Sequence, residues 1–262
     1  MKVIDAFTFF NELDILELRL RELYDVVDVF VLVESTHTHA GNPKASYYLD
    51  NKDRYAFAAD KIMHVLVDPP ENPRHAWDRE RYQRDVIKHA VQEYSATDLV
   101  CVSDVDEIID PHAIRTIKTL YGGLPHDQIM YFHMDFYYYT EEHLNLTEAW
   151  IKAFMCSVHT AQTVASLSTV RNALRGTVYP EKAGWHFSYF GNAAAIRTKL
   201  QEFAHQELNT EETLAKIEGS LKTKTNFITN QELVYVPRRQ NTYLPASIQC
   251  LHKTRDTTEI GP

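Results

Sequence analysis

Residues 98–109 read Asp-Leu-Val-Cys-Val-Ser-Asp-Val-Asp-Glu-Ile-Ile, an apolar run that ends in three carboxylates, Asp104, Asp106 and Glu107. A run without a polar face suits a strand covered on both sides, and open α/β sheets bind ligands beyond the C-terminal ends of such strands. Asp104 and Asp106 are two residues apart, so on an extended backbone they project to one side and can converge on one hard divalent cation held by oxygen ligands. The plain alternative is a solvated acidic strand end, because Asp-x-Asp alone is a common string.

The elements around this run must carry it into a sheet. Lys2 to Phe10 reads as an apolar strand, and Asn11 or Asp14 can cap a following helix whose Leu13, Leu16, Leu20, Leu23 and Tyr24 recur at helical spacing. Val26 to Glu34 is a second strand that ends in a carboxylate, and strand, amphipathic helix, strand predicts a right-handed parallel unit. Thr36 to Tyr48 is a loop containing Gly41, Asn42 and Pro43, and Ile62 to Val67 is a third strand. Trp77 to Tyr94 predicts a long charged helix with Tyr82, Val86, Ile87, Ala90 and Val91 inward. After Pro111 the chain turns aromatic. Asp127 to Thr140 is a strand, and Phe154 to Val164 and Thr177 to Phe190 are expected as further, antiparallel strands. Tyr137, Tyr138 and Tyr139 cannot all face one core, since neighbours on a strand point opposite ways. Ala193 to His205 and Thr210 to Leu221 are expected to be helical.

The 262 residues, 44% hydrophobic, are enough for one large α/β core, and neither a repeat nor a low-complexity linker divides them. We therefore expect a single domain over 1–262, whose character changes between 1–110 and 111–262. The formal net charge of −9, with no dense Lys/Arg cluster, argues against long nucleic acid as a partner. Cys101, Cys156 and Cys250 are odd in number and widely spaced, which points to a reducing compartment. With no signal-like start and no stretch of spanning length, the expected location is cytoplasmic.

Several strings taken together resemble glycosyltransferase family 17. They are Phe10-Asn11-Glu12-Leu13-Asp14-Ile15-Leu16-Glu17 with Arg19, Glu22-Leu23-Tyr24-Asp25-Val26-Val27-Asp28, and Val33-Glu34-Ser35 followed by Thr38, Gly41 and Pro43-Lys44. Trp77 with Arg84, the Ser103-Asp104-Val105-Asp106-Glu107-Ile108 run, and Gly184-Trp185-His186-Phe187-Ser188-Tyr189 complete the set. The chain looks like a compact bacterial or viral relative of the animal enzymes that add a bisecting β1,4-linked N-acetylglucosamine. The resemblance implies the glycosyltransferase A fold, Rossmann-like, with a mostly parallel central sheet and a smaller mixed or antiparallel acceptor-side part. It also implies a UDP-sugar donor, Mn2+ or Mg2+ as cofactor, a glycan or other hydroxyl acceptor, and inversion at the anomeric carbon, with 1–110 as the nucleotide-sugar-binding half and 111–262 as the acceptor-side half.

On that resemblance Asp106 is the principal metal ligand, Asp104 its helper, and His186 a third ligand or donor-site group. Glu34, Lys44, Arg84 and Asp104 fall on the donor side. The base that takes the acceptor proton is sought among Glu207, His205, Asp135 and Glu107, with Glu207 foremost. Two other classes share parts of this pattern. A metal-dependent nucleotidyltransferase would carry a Gly-rich, basic phosphate loop after the first strand, where this chain has Thr8-Phe9-Phe10-Asn11-Glu12. A sugar-binding module would use the aromatics for stacking and bind free sugar without nucleotide.

Overall fold

The computed structural model describes residues 1–120 and 122–252. The chain begins with β1 (Val3–Phe9), α1 (Leu13–Leu23), β2 (Val29–Ser35), the single turn α2 (Tyr47–Asp50), β3 (Ile62–Val67), α3 (Ala76–Ala90), β4 (Leu99–Asp104), β5 (Glu107–Ile109) and α4 (Pro111–Thr119). It continues with β6 (Ile129–Tyr138), β7 (His143–Leu144), β8 (Phe154–Ser157), α5 (Val158–Thr163), α6 (Leu167–Ala173), β9 (Thr177–Ser188), α7 (Ala193–Glu202), α8 (Glu211–Thr223) and β10 (Val234–Tyr235).

All the strands join one mixed sheet, so the chain is α/β. Its parallel half runs β3-β2-β1-β4, with β1 hydrogen-bonded to both β2 and β4. That central position explains why all seven residues of β1 are buried. Phe7 and Phe9 pack on one face with α1 and α4, and Ile4 and Ala6 on the other with Ile87 and Val91 at the end of α3. Beyond β4 the sheet turns antiparallel through β8 and β6, and β9 then lies parallel to β6.

Five expectations change. The 98–109 run is two strands: β4 stops at Asp104, a turn carries Val105 and Asp106, and β5 turns away to pair with β9. Residues 158–163 are helical because Ser157 caps them, its Oγ accepting from the Thr160 amide at 3.1 Å. The helices α5 and α6 bring the chain back along the sheet, so β9 pairs parallel to β6 while running antiparallel, as expected, to β5. Tyr82 is 41% exposed, and the inward face of α3 carries Gln83 and Arg84 instead. At the start of α1 neither Asn11 nor Asp14 caps; Glu12 occupies that position, and its carboxylate accepts from the amides of Phe10 and Asn11.

Candidate active site

A cavity of about 500 Å3 opens over the C-terminal ends of β1 and β4, between the parallel half of the sheet and α7. The turn at its floor is fixed from beneath. Arg19, fully buried on α1, clasps Asp5 of β1 through Nη2 at 2.6 Å and Nε at 2.7 Å. Its Nη1 donates to the carbonyls of Asp104 at 2.9 Å and Glu107 at 2.7 Å, and Nη2 to Ser103 Oγ at 2.7 Å. One guanidinium thus pins both sides of the Asp104–Glu107 turn.

Asp104 faces two arginines. Its Oδ1 accepts from Arg84 Nη2 at 2.5 Å and Thr8 Oγ1 at 3.0 Å, and its Oδ2 from Arg171 Nη2 at 2.7 Å. Arg84 also donates to Glu80 and Ser168. Burial alone would raise the Asp104 carboxyl, yet Arg171 and Arg84 hold it far below the usual carboxylate range. Asp106 takes Lys199 Nζ of α7 at 2.7 Å, and its Oδ1 lies 3.8 Å from His186 Nε2. Here too burial acts upward and Lys199 with His186 prevails, so Asp106 stays ionised. Lys199 also lies 3.4 Å from Glu12.

In this network five carboxylates (Glu12, Glu80, Asp104, Asp106, Glu107) share three cations (Arg84, Arg171, Lys199), leaving two negative charges unmatched when histidine is neutral. His186 is stacked between Phe136, ring centroids 4.5 Å apart, and Trp150, at 4.1 Å. Trp150 donates its indole N–H to Glu107 Oε1 at 2.7 Å, and Glu107 grips Arg171 with both oxygens at 2.6 Å. Alternation along β9 places His186 and Ser188 in the cavity wall and Trp185 and Phe187 in the core on the other face, while Tyr189, just past the end of the strand, joins the wall as well.

Of the expected site residues, Lys44, Arg84, Asp104, Asp106, His186 and His205 line this cavity together. Glu34 lies outside its wall. That carboxylate is fully buried and accepts from Lys44 Nζ at 2.7 Å, Ser46 Oγ at 2.6 Å and the Tyr47 amide at 2.6 Å, with His64 Nε2 3.0 Å away. It organises the 36–48 loop from inside. Asp135 points to the other face of β6, where Lys182 pairs with it at 2.5 Å. Glu107 is buried beneath Arg171, and Glu207 stands behind His205, with Oε1 2.6 Å from the imidazole Nδ1. Sequence reasoning missed Arg171 and Trp150, which carry no motif, and Lys199, whose part depends on α7 folding over Asp106. It also missed Glu148, an exposed carboxylate in the cavity wall.

An α/β protein with a charged cavity over the ends of its parallel strands has the frame of a ligand-handling enzyme. The chain belongs to glycosyltransferase family 17, whose model matches residues 1–224. Beta-1,4-mannosyl-glycoprotein 4-beta-N-acetylglucosaminyltransferases of Rattus norvegicus and Homo sapiens are each 27% identical to it over 144 residues, 46% of this chain. The match spans 27% of the length of those relatives. The crystal structure of mannose-6-phosphate isomerase from Helicobacter pylori aligns with a TM-score of 0.36 at 11% identity, over 61% of this chain and 72% of that one, too slight a likeness to define the fold. Among the described residues no helix is long and apolar enough to cross a membrane.

The site fits a divalent ion in part: its network is anionic, but both oxygens of Asp104, expected as a ligand, are taken by Arg84 and Arg171, which leaves Asp106 and His186. Two charges are unmatched, Asp106 is ionised, and its 3.8 Å separation from His186 Nε2 is within the span of two ligands sharing one ion. Among the described residues no cluster of three His, Cys, Asp or Glu side chains encloses a metal. The remaining positions of such an ion would fall to substrate oxygens and water.

Proposed function

We propose that this chain is an inverting, divalent-metal-dependent glycosyltransferase of the glycosyltransferase A fold that moves a sugar from a UDP-sugar to a glycan hydroxyl. N-acetylglucosamine is the sugar favoured by the names of its relatives. The observation that carries this reading is the excess of two carboxylate charges at the strand-end cavity. A diphosphate brings further negative charge, which Arg84, Arg171 and Lys199, already bound to carboxylates, do not balance, so the network favours an added cation.

Asp106, with His186 beside it, would hold manganese or magnesium. When bound, the ion would neutralise charge developing on the departing diphosphate. The chain's own residues do the rest. Asp104, fixed by Arg84 and Arg171, keeps those guanidiniums facing the cavity. Lys44 and Arg84 line the donor side, and the stacked Trp150, His186 and Phe136 offer an apolar floor against which a sugar ring can pack. Residues 1–110 would then bind the donor and 111–262 the acceptor. A reducing, cytoplasmic setting agrees with Cys101 and Cys156 lying buried as thiols in β4 and β8.

The test is a screen of UDP-, GDP- and dTDP-sugars with and without Mn2+, read as thermal stabilisation. At a hundredfold over its dissociation constant a true donor should stabilise the fold by about 2.7 kcal/mol. Stabilisation by UDP-N-acetylglucosamine that needs Mn2+ is the expected result. No response to any nucleotide sugar would refute the donor assignment. Inversion is read from the anomeric configuration of the product by NMR.

A further inference from the structure

A transfer that inverts the anomeric carbon needs a group in the cavity that removes the acceptor proton. This inference rests on the proposed inverting transfer and asks which side chain performs it. Most carboxylates of the wall are already committed. Asp104 holds Arg84 and Arg171, Asp106 holds Lys199, Glu80 holds Arg84, and Glu12 lies against Lys199. Glu202 accepts from the Asn42 side-chain amide at 2.9 Å, tying α7 to the 36–48 loop. A carboxylate bound to a buried cation is a poor proton acceptor, because protonation would strand that cation. Asp135, Glu107 and Glu207 lie outside the wall.

His205 is different. It follows α7, directly before a short turn at Gln206–Leu208, and lines the same cavity as Asp106 and Lys199. The turn brings Glu207 back so that its Oε1 lies 2.6 Å from His205 Nδ1. Trp77 meets the ring edge-on, with centroids 4.3 Å apart, and Phe203 lies at 5.3 Å. The imidazole is thus oriented by a carboxylate on one nitrogen and by two aromatic rings, while its side chain stays 48% exposed. Desolvation acts to raise the Glu207 carboxyl, but the His205 hydrogen bond outweighs it and holds Glu207 below its ordinary value. An ionised Glu207 accepts the Nδ1 proton, and that fixes Nε2 as the nitrogen with the lone pair.

We propose that His205 is the general base of the transfer and that Glu207 is the residue that positions it. As the acceptor oxygen bonds to the anomeric carbon, its proton passes to His205 Nε2. The bond from that carbon to the diphosphate oxygen breaks, and its electron pair leaves with the diphosphate. The imidazolium, held against Glu207, then returns the proton to solvent. Glu148 is the rival: an exposed carboxylate of the wall, on a stretch that leads to Trp150.

The experiment measures UDP release from UDP-N-acetylglucosamine, with water as the acceptor, alongside UDP binding by calorimetry, for wild type and for His205→Ala, Glu207→Gln and Glu148→Gln. His205→Ala should lose roughly 10²- to 10⁴-fold in turnover, the range of general-base removal, with UDP affinity unchanged. Free imidazole added to that variant should restore part of the rate, which no purely structural defect would allow. Glu207→Gln should lower kcat by a smaller factor and leave the donor KM alone. Wild-type turnover in His205→Ala, failure of imidazole to restore any rate, or loss confined to Glu148→Gln would each overturn the proposal. A wild-type protein that binds no UDP would instead refute the donor assignment, a failure that calorimetry separates from this one.

Discussion

Arg19 and Asp5 form a two-pronged ion pair with no solvent exposure on either side chain, and the same guanidinium grips the carbonyls of Asp104 and Glu107. A buried pair of this kind contributes little as an isolated interaction, since desolvation offsets its attraction. Its effect here is geometric. It ties the first helix and first strand of the chain to a turn about a hundred residues later, and the orientation of Asp106 depends on that turn.

Arg19→Met should therefore destabilise the protein by about 3–5 kcal/mol, because it leaves Asp5 buried without its partner and the carbonyls of Asp104, Val105 and Glu107 without their donor. Arg19→Lys should recover only part of this, since an ammonium cannot span both prongs and the turn. Chemical denaturation measures both. A cost below about 1 kcal/mol for the methionine variant would remove Arg19 from its supporting role.

Asp106→Asn should abolish Mn2+-dependent turnover while the circular dichroism spectrum stays native. Asparagine keeps the shape of the side chain and removes the charge on which the cation depends. Calorimetric titration with Mn2+ alone gives an independent reading: retained binding in the variant would move the ion elsewhere.

Glu34 yields a pH prediction. Burial acts to raise its carboxyl, but the bonds from His64, Lys44 and Ser46 outweigh burial and depress it in the folded state. A depressed carboxyl contributes stability above its unfolded value, near pH 4.3, and that stability disappears as the pH falls through the lower folded value. In Glu34→Gln this contribution is missing, so its stability should change less with acidification below about pH 4 than that of wild type. At neutral pH the variant should cost about 1–3 kcal/mol, because Lys44 loses its buried counter-charge. Melting curves from pH 7 to pH 3 distinguish the two, and parallel curves would contradict the assignment.

Glu107 grips Arg171 and the Trp150 indole at once, so Glu107→Gln should loosen both. Losing hydrogen bonds to a charged group is worth about 1.5–3 kcal/mol, which corresponds to roughly 10- to 100-fold weaker UDP binding. Trp150→Phe keeps Arg171 held and should leave UDP affinity nearly unchanged. Equal losses in the two variants would mean that Arg171 has no part in donor binding.

The parallel half of the fold was legible because its strands are apolar on both faces and its helices amphipathic, two patterns set within a few residues. Asp104 and Asp106 were legible for the same reason, as carboxylates interrupting an apolar run. What the sequence concealed depends on long-range closure. Arg171 reaches Asp104 across 67 positions, Lys199 reaches Asp106 across 93, and neither spacing leaves a local trace. Glu34 misled for the opposite reason: a carboxylate ending a strand predicts a ligand site, but Ser46, Tyr47 and Lys44 fold back and occupy it from within the chain. The choice between His205 and Glu207 required the turn at 206–208, which determines which of the two faces the cavity.

Helix α7 is anchored at two points, by Lys199 to Asp106 and by Glu202 to Asn42, and the chain beyond it carries His205. Any ligand that competes with Lys199 for Asp106 alters one anchor of the helix leading to His205. Thermodynamic linkage makes that influence mutual: whatever a ligand at His205 does to α7 returns, with the same factor, as a change in affinity at Asp106. A cation entering at Asp106 has to displace the chain's own Lys199, so the contact that anchors α7 also sets how tightly the pocket can hold an ion.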